Sequence, residues 1–492
     1  MTKNQIGNKD LPKRVNREDS LSISIGYGLF LFYPAGTQTR KRRNEMQKEN
    51  KMGIMPIPKL VITMSFPIMV SMLVQSLYNI VDSMFVAQID EAALTATSIA
   101  YSAQILQIAV SVGTGVGVNA IVSRHLGAKN YEKADTIATL GLILTIASSL
   151  VFVLWGMFGT AAFIRRFSSD ETIIAYGISY LRICQLFSTG LFLGTLTQRL
   201  LQATGRTVSS MFAQLAGAVA NIILDPILIF GYFGAPALGI TGAAIATVIG
   251  QWISAIIGLI LNKVQNKEIH FVWKDLHFEK ADLLAIYRVG APAILTQAFG
   301  SLMVAGINLI LGMYSVTAVA FFGVYYKLQN FLFMPMNGLG QGSLPIVGYN
   351  MGARNQKRVK GTCRMALGLA AGIALAGIVV FEAVPGVLLS FFKASETMLQ
   401  IGIPALRIIA PTFILAAVTM VTGYLISGMG NGVVNMAATA IRQLVVLLPA
   451  IRLIATVAGI DYVWYAFWIS EIAAVLYAGM KLRRHLKKAS EL

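Results

Sequence analysis

Charge is scarce in this sequence: Asp, Glu, Lys and Arg make up 13% of its 492 residues, against 56% hydrophobic residues. An ordinary soluble domain carries roughly 25% charged residues. A chain this poor in polar side chains has no means of covering a water-facing exterior, so a soluble globular fold is excluded. Cysteine is almost missing. The two present, Cys184 and Cys363, each lie within or beside an apolar run, which excludes a disulfide framework or a cysteine metal cage and leaves them as small buried hydrophobes. The four histidines, His125, His270, His277 and His485, fall in breaks between apolar runs or in the tails. A histidine metal site inside the apolar segments is therefore not expected.

What the sequence has in abundance is long apolar runs. Stretches of about 20 residues or more recur along nearly the whole chain, each long enough as a helix to cross a hydrocarbon layer about 30 Å thick. Helices are predicted over 59–87, 93–121, 132–159, 172–197, 207–232, 239–262, 283–312, 315–345, 356–382, 397–426, 433–457 and 461–483. The fold class is all-α integral membrane: twelve transmembrane helices in two pseudo-symmetric six-helix bundles around a central cleft. The only long polar break, 262–282, divides the core. It separates an amino-terminal lobe, 59–262, from a carboxy-terminal lobe, 283–483, through a cytoplasmic linker at 263–282, and a short basic tail follows at 484–492. Residues 1–58 form a basic, disordered extension. Within it, 21–33 is apolar but too short to span, and Arg40–Lys41–Arg42–Arg43 stand where a signal peptide would show its cleavage region. Residues 1–45 read as an upstream translation extension, with Met46 a second plausible start.

The formal charge is +18, yet the basic residues sit in short turns and form no continuous patch interleaved with aromatics, so nucleic acid is not an expected partner. They crowd the first tail, 124–133, 199–206, 263–280, 354–364 and 481–488. The alternate turns carry Asp90, Glu91, Asp170, Glu171 and Asp461, with Arg165, Arg166 and Lys393 as exceptions. By the positive-inside rule both termini are cytoplasmic.

The two parts are copies. Adding 225 to a position in the first part reaches its counterpart without a gap: Pro67 with Pro292, Tyr101 with Tyr326, Gln104 with Gln329. Gly113, Gly115 and Gly117 match Gly338, Gly340 and Gly342, and Gly127-Ala128 and Asn130 match Gly352-Ala353 and Asn355. Leu181-Arg182-Ile183 matches Leu406-Arg407-Ile408, and Gly205 matches Gly430. Each copy holds an even number of helices, so both insert in the same orientation, related by an axis along the membrane normal. Such a pair encloses a cleft that rocking of one part against the other opens to either side. The glycine triplets have the spacing of a nucleotide-binding loop but not its setting, since no strand precedes them; close helix packing or a kink is expected.

A carboxylate at the bilayer centre costs about 2.5–3.5 kcal/mol on insertion scales. The first part has two. Gln75, Tyr78, Asn79 and Asp82 follow i, i+3, i+4, i+7 and form one polar stripe on the first helix; Asn221 and Asp225 share a face of the fifth. Facing each other in a dry pocket, the carboxylates would hold a proton between them; both ionised, they would instead hold a monovalent metal ion such as sodium at Asp82, Asn221 and Asp225, with Thr247 as an added ligand. Packing residues hydrogen-bonded near a membrane surface would show the same pattern, and Asp225-Pro226 also suggests a helix break or end. Pro67, fifteen residues before Asp82, permits a bend that cation capture would alter; a static kink is the alternative. The second part has Ile307 and Ala450 at the equivalents of Asp82 and Asp225, so ion coupling belongs to the first. Lys327 needs a partner, for which Glu382 and Glu471 are the candidates.

Several segments together resemble the multidrug and toxic compound extrusion (MATE) family over about 59–483. They are Ser65-Phe66-Pro67, Leu77-Tyr78-Asn79-Ile80-Val81-Asp82, Gly127-Ala128-Lys129-Asn130, Gln202-Ala203-Thr204-Gly205, Asn221-Ile222-Ile223-Leu224-Asp225-Pro226, Gly242-Ala243-Ala244-Ile245-Ala246-Thr247 and Gly352-Ala353-Arg354-Asn355. The resemblance implies export of small organic, often cationic, drugs or metabolites by antiport against protons or sodium in a rocker-switch motion. It implies a cation site at Asp82, Asn221, Asp225 and Thr247, with Gln75, Tyr78 and Tyr180 around it. Lacking acidic residues in helices 7 and 10, the chain is more similar to the DinF-like prokaryotic branch than to the NorM-like one. A monomer in the inner membrane of a prokaryote is implied, with no cofactor beyond the coupling ion. One charge moving inward through 100 mV releases about 2.3 kcal/mol, so no ATP-binding loop is required. Two rival functions stay open: a lipid-linked saccharide flippase, which Lys327, Arg182 and Arg407 would serve, and a membrane-embedded enzyme, for which no metal-aspartate or activated-serine arrangement is present.

Overall fold

The computed structural model describes residues 50–273, 277–392 and 394–490. The apolar stretch 21–33, the basic cluster 40–43, Met46 and Lys393 lie outside the described residues. The described part of the chain is helical throughout, with no strand. The amino-terminal lobe contains α1 (Ile57–Ala87), α2 (Glu91–Gly127), α3 (Tyr131–Phe158), α4 in two pieces (Glu171–Leu186 and Thr189–Ala203), α5 (Thr207–Phe230) and α6 (Ile240–Gln265). The carboxy-terminal lobe contains α7 (Lys280–Gly312), α8 (Val316–Gly352), α9 (Gln356–Ala383), α10 in two pieces (Glu396–Ile409 and Phe413–Gly428), α11 (Gly432–Val457) and α12 (Ala466–Ser490). Ten of these are long and apolar enough to cross a membrane by length and composition. The other two are α4, broken at Phe187 and Ser188, and α8, which carries Lys327, Gln329, Asn330, Asn337, Gln341 and Asn350.

The repeat extends to the way helices begin and end. Asp90 and Ser315 cap α2 and α8 by accepting from the Ala93 and Ala318 amides, and Asn130 and Asn355 cap α3 and α9 by accepting from Lys133 and Arg358. Every donor and every acceptor here is 225 residues from its counterpart. Such caps satisfy amides that the first helical turn leaves free. Lys129 and Arg354, in the turns before α3 and α9, both adopt left-handed backbone at φ 57° and 54°, a conformation uncommon for side-chain-bearing residues. The breaks in α4 and α10 also correspond, since 187 and 412 are 225 apart.

Two sequence expectations about helix boundaries are corrected. Asp225-Pro226 does not end α5: the helix runs on to Phe230 and stops at Gly231, whose φ of 79° is the left-handed cap glycine tolerates. Residues 50–58, assigned to the extension, belong to the folded part. They include a helical turn, Lys51–Ile54, and Met52 is fully buried.

The lobes meet through α1 on α8 and α2 on α7, equivalent pairs under the repeat. The glycine triplets make this approach possible. A Cβ on Gly113 would strike Ile294 and the Gly290 carbonyl of α7, and one on Gly338 would strike Met69 of α1, the counterpart of Ile294. Gly117 meets Ile286, and Gly342 meets Ser65. Further along, Gly127 abuts the Tyr349 carbonyl and Gly352 abuts the Arg124 carbonyl, again exchanged by the repeat.

Burial along α2 and α8 shows where this contact stops. Every residue from 113 to 123 and from 338 to 350 is buried. Nearer their first turns, burial is confined to one face, at Ala93, Ala96, Ala100 and Ala103 of α2 and Ala318, Phe321, Tyr325 and Gln329 of α8. Helices enclosed all round at one end and on one side at the other border a cleft, closed toward Gly127 and Gly352 and open toward Asp90 and Ser315.

Candidate functional site

Pro67 lies in the buried part of α1, which continues through it without interruption. Proline has no amide hydrogen, so the carbonyl four residues earlier loses its helical donor. That carbonyl, of Thr63, accepts instead from the Thr207 hydroxyl of α5 at 3.2 Å. The missing helical bond is thus replaced by one that ties α1 to α5, the two helices that carry the carboxyl groups.

Asp82 of α1 and Asp225 of α5 come together, each carboxyl close enough to act on the other. Two carboxylates this near repel each other unless a proton or a cation lies between them. Asp225 is fully buried, and neither Asp82 Oδ1 nor Asp225 Oδ2 receives a bond from any amide or hydroxyl among the described residues. Asn221, also buried, donates through Nδ2 to Asp225 Oδ1 at 3.3 Å, and its own Oδ1 is without a partner. Buried oxygens without donors carry a desolvation cost that a bound proton or cation relieves. Among the described residues no three of His, Cys, Asp and Glu come together as a metal cage; the oxygen set is two carboxyls and an amide.

Around the pair, Gln75 neighbours Tyr78 and accepts from Gln214 Nε2 of α5 at 3.0 Å. Tyr180 of α4, 5% exposed, has Thr247 of α6 and Gln104 of α2 as polar neighbours. Thr247 therefore joins the site through Tyr180. Asn79 does not join it: the residue is exposed, and the bond it makes is through its carbonyl, which accepts from Ser83 Oγ. Its i+4 relation to Gln75 put it on the edge of the stripe, and α1 turns that edge outward. Gln104 and Cys184, neighbours of Tyr180 and of each other, are site residues that the sequence does not single out. Gln104 is visible there only as a repeat partner of Gln329.

The partner of Glu471 is Arg442 of α11, at 3.4 Å, rather than Lys327. Lys327 is exposed and has no ion pair among the described residues. Arg182 and Arg407 are exposed as well; Arg407 lines a groove with Ile408, Pro411, Tyr465 and Trp468. A further cation, counted from the sequence among the basic turns, lies buried inside a helix. Arg199 of α4, 7% exposed, donates to Gln202 Oε1 at 3.0 Å and, across the lobe interface, to Gln341 Oε1 of α8 at 2.6 Å. Its counterpart under the repeat is Tyr424, whose hydroxyl donates to Asn337.

Two repeated lobes of six helices with a cleft between them have the architecture of a membrane transporter. A family model described as MatE matches residues 67–227 and 292–451, two ranges whose starts are 225 residues apart, and the chain belongs to that family. Its members are transporters, not enzymes. The chain is 25% identical over 424 residues to the multidrug export protein MepA of Staphylococcus haemolyticus, covering 85% of this chain and 92% of that one. It is similar in fold to a multidrug resistance MATE transporter solved in an outward-facing conformation, with a TM-score of 0.85 at 22% identity over 91% of this chain and 99% of that one. A MATE solved in complex with MaL6 superposes with a TM-score of 0.84 at 22% identity, covering 91% and 100%.

Proposed function

We propose that the protein exports small organic molecules, often cationic drugs or metabolites, in exchange for protons or sodium at Asp82 and Asp225, by rocking its two lobes. MepA, its relative, is a multidrug export protein. The observation that supports the coupling is the approach of two carboxyls that each keep one buried oxygen, Asp82 Oδ1 and Asp225 Oδ2, without a donor among the described residues. A cation arriving there neutralises the pair and changes how α1 sits on α5, the helices linked by Thr207 and Thr63.

The closed end of the cleft is the end that bears the basic turns at 124–133 and 354–364. With these turns in the cytoplasm, the conformation is outward-open and both termini are cytoplasmic. The protein works as a monomer in the cell membrane of a prokaryote, since each chain encloses its own cleft.

The test is efflux from vesicles holding wild type or Asp82→Asn, driven by an imposed pH gradient in one set and a sodium gradient in another. Loss of gradient-driven efflux in the variant supports the reading. Undiminished efflux removes it and leaves the fold untouched.

A further inference from the structure

The carboxy-terminal lobe holds a buried charged cluster that has no equivalent under the repeat. It consists of Arg442, Glu471 and Tyr325. Their counterparts 225 residues earlier are Gly217, Ala246 and Ala100, all buried and small. The charged cluster is therefore an addition to the repeated packing.

Arg442 sits in a π-turn, Ile441–Val445, that interrupts α11. Such turns are frequent at functional sites, because an extra residue is accommodated at the expense of regular hydrogen bonding. The Arg442 guanidinium lies over the Phe333 ring, 5.6 Å from its centroid, and its Nε faces Glu471 Oε1 at 3.4 Å. The two side chains keep 11% and 5% of their surface. The second glutamate oxygen, Oε2, is buried without a partner, and so is the hydroxyl oxygen of Tyr325. The Tyr325 ring packs edge-on against Phe467, one turn before Glu471 on α12. Tyr325, Gln329 and Phe333 follow at i, i+4 and i+8 and close the cluster from α8.

We propose that this cluster is a proton-binding site of the carboxy-terminal lobe, separate from Asp82 and Asp225, in which Glu471 takes the proton at Oε2. A metal cation is repelled by the guanidinium beside it, whereas a proton enters a covalent O–H bond and neutralises the carboxylate. Protonated, Oε2 becomes a donor, and Arg442 loses its counter-charge and is held by the Phe333 face alone. The charged and titratable groups that bear on Glu471 are Arg442 from α11 and Tyr325 from α8; α10, also packed on α12, carries Arg407 and Tyr424, neither of which bears on it. The site does not rest on coupling at the amino-terminal pair.

The test is infrared titration of the full-length protein in lipid discs. Wild type grown with carbon-13 glutamate needs no variant: Glu471 is the one fully enclosed glutamate among the described residues, so a protonated-carboxyl band that shifts with the label reports it. That band is expected to respond to pH, to survive in Asp82→Asn/Asp225→Asn, and to vanish in Glu471→Gln. Arg442→Gln, which keeps the carboxyl and removes its cation, is expected to move the titration midpoint. Absence of a label-sensitive titrating band in wild type, or a band that persists in Glu471→Gln, overturns the proposal. Efflux is not the readout, so failure here is distinct from failure of the coupling at Asp82.

Discussion

Gly127 lies against the backbone carbonyl of Tyr349 so closely that no side chain fits between α2 and α8. The contact crosses from one lobe to the other, and its mirror under the repeat, Gly352 against Arg124, seals the same end of the cleft. Gly127→Ala places a methyl group into a backbone atom that has nowhere to move. Overpacking of this kind costs about 1–3 kcal/mol, which shifts a two-state equilibrium by roughly 5- to 150-fold. The cost falls on the conformation closed at this end and spares one in which the lobes part there. Spin labels on the two lobes at this end should report a longer distance in Gly127→Ala, and efflux should slow. An unchanged distance distribution would count against the closed end as a moving part.

Asp82→Asn and Asp225→Asn keep a polar group of nearly the same shape in the pocket. Each still offers its neighbour a hydrogen bond, so thermal stability should change by no more than about 1 kcal/mol. Coupling should not survive: gradient-driven efflux should fall by at least about tenfold, the effect of 1.4 kcal/mol. A variant that unfolds readily and also fails to transport would point to a packing role for the pair instead.

Much of this arrangement was legible in the sequence because the repeat is. The 225-residue offset, the apolar runs and the i, i+4 carboxyl and amide on α5 needed no coordinates. Helix ends were less legible: α2 and α8 outrun their expected limits of 121 and 345 to Gly127 and Gly352, since Arg124 and Asn350 look like loop residues until the facing lobe is present. Asn79 illustrates another limit, because periodicity gives the stripe but not which edge faces protein. Arg199 with Gln341, and Arg442 with Glu471, are pairs between distant segments that no local pattern reveals.

The bond from Thr207 to the Thr63 carbonyl holds α1 where Pro67 removed its own. Thr207→Val leaves that carbonyl without a donor inside the lobe, at a cost of about 1–3 kcal/mol. Pro67→Ala does the reverse, restoring an amide to Thr63 and making α1 stiffer. Unfolding temperature should drop in Thr207→Val and hold in Pro67→Ala, while efflux slows in the latter. If Pro67→Ala transports at the wild-type rate, the proline is a static feature of α1 and bending there is no part of the cycle.

The turn Lys51–Ile54 straps the closed end from outside. Arg358 donates to the Met52 and Met55 carbonyls at 2.9 and 2.7 Å, Asn350 donates to Met52 at 3.0 Å, and on the other lobe Asn50 donates to the Thr204 carbonyl at 3.0 Å. Lys51 is held there at a cost: burial first, and the Arg206 charge second, push its ammonium below the ordinary value of 10.5. Because the folded value is the lower one, the penalty is constant at neutral pH, shrinks as pH rises from the folded value toward 10.5, and is absent above it. Lys51→Gln should therefore stabilise the protein at neutral pH and do nothing at strongly alkaline pH, as measured by thermal unfolding across a pH series. Arg358→Ala acts in the opposite sense, freeing two carbonyls and loosening the strap by about 2 kcal/mol. A cysteine placed at Met52 should then become reactive to a water-soluble thiol reagent in the Arg358→Ala background while remaining protected otherwise. Equal protection in both would mean that Arg358 does not hold the strap.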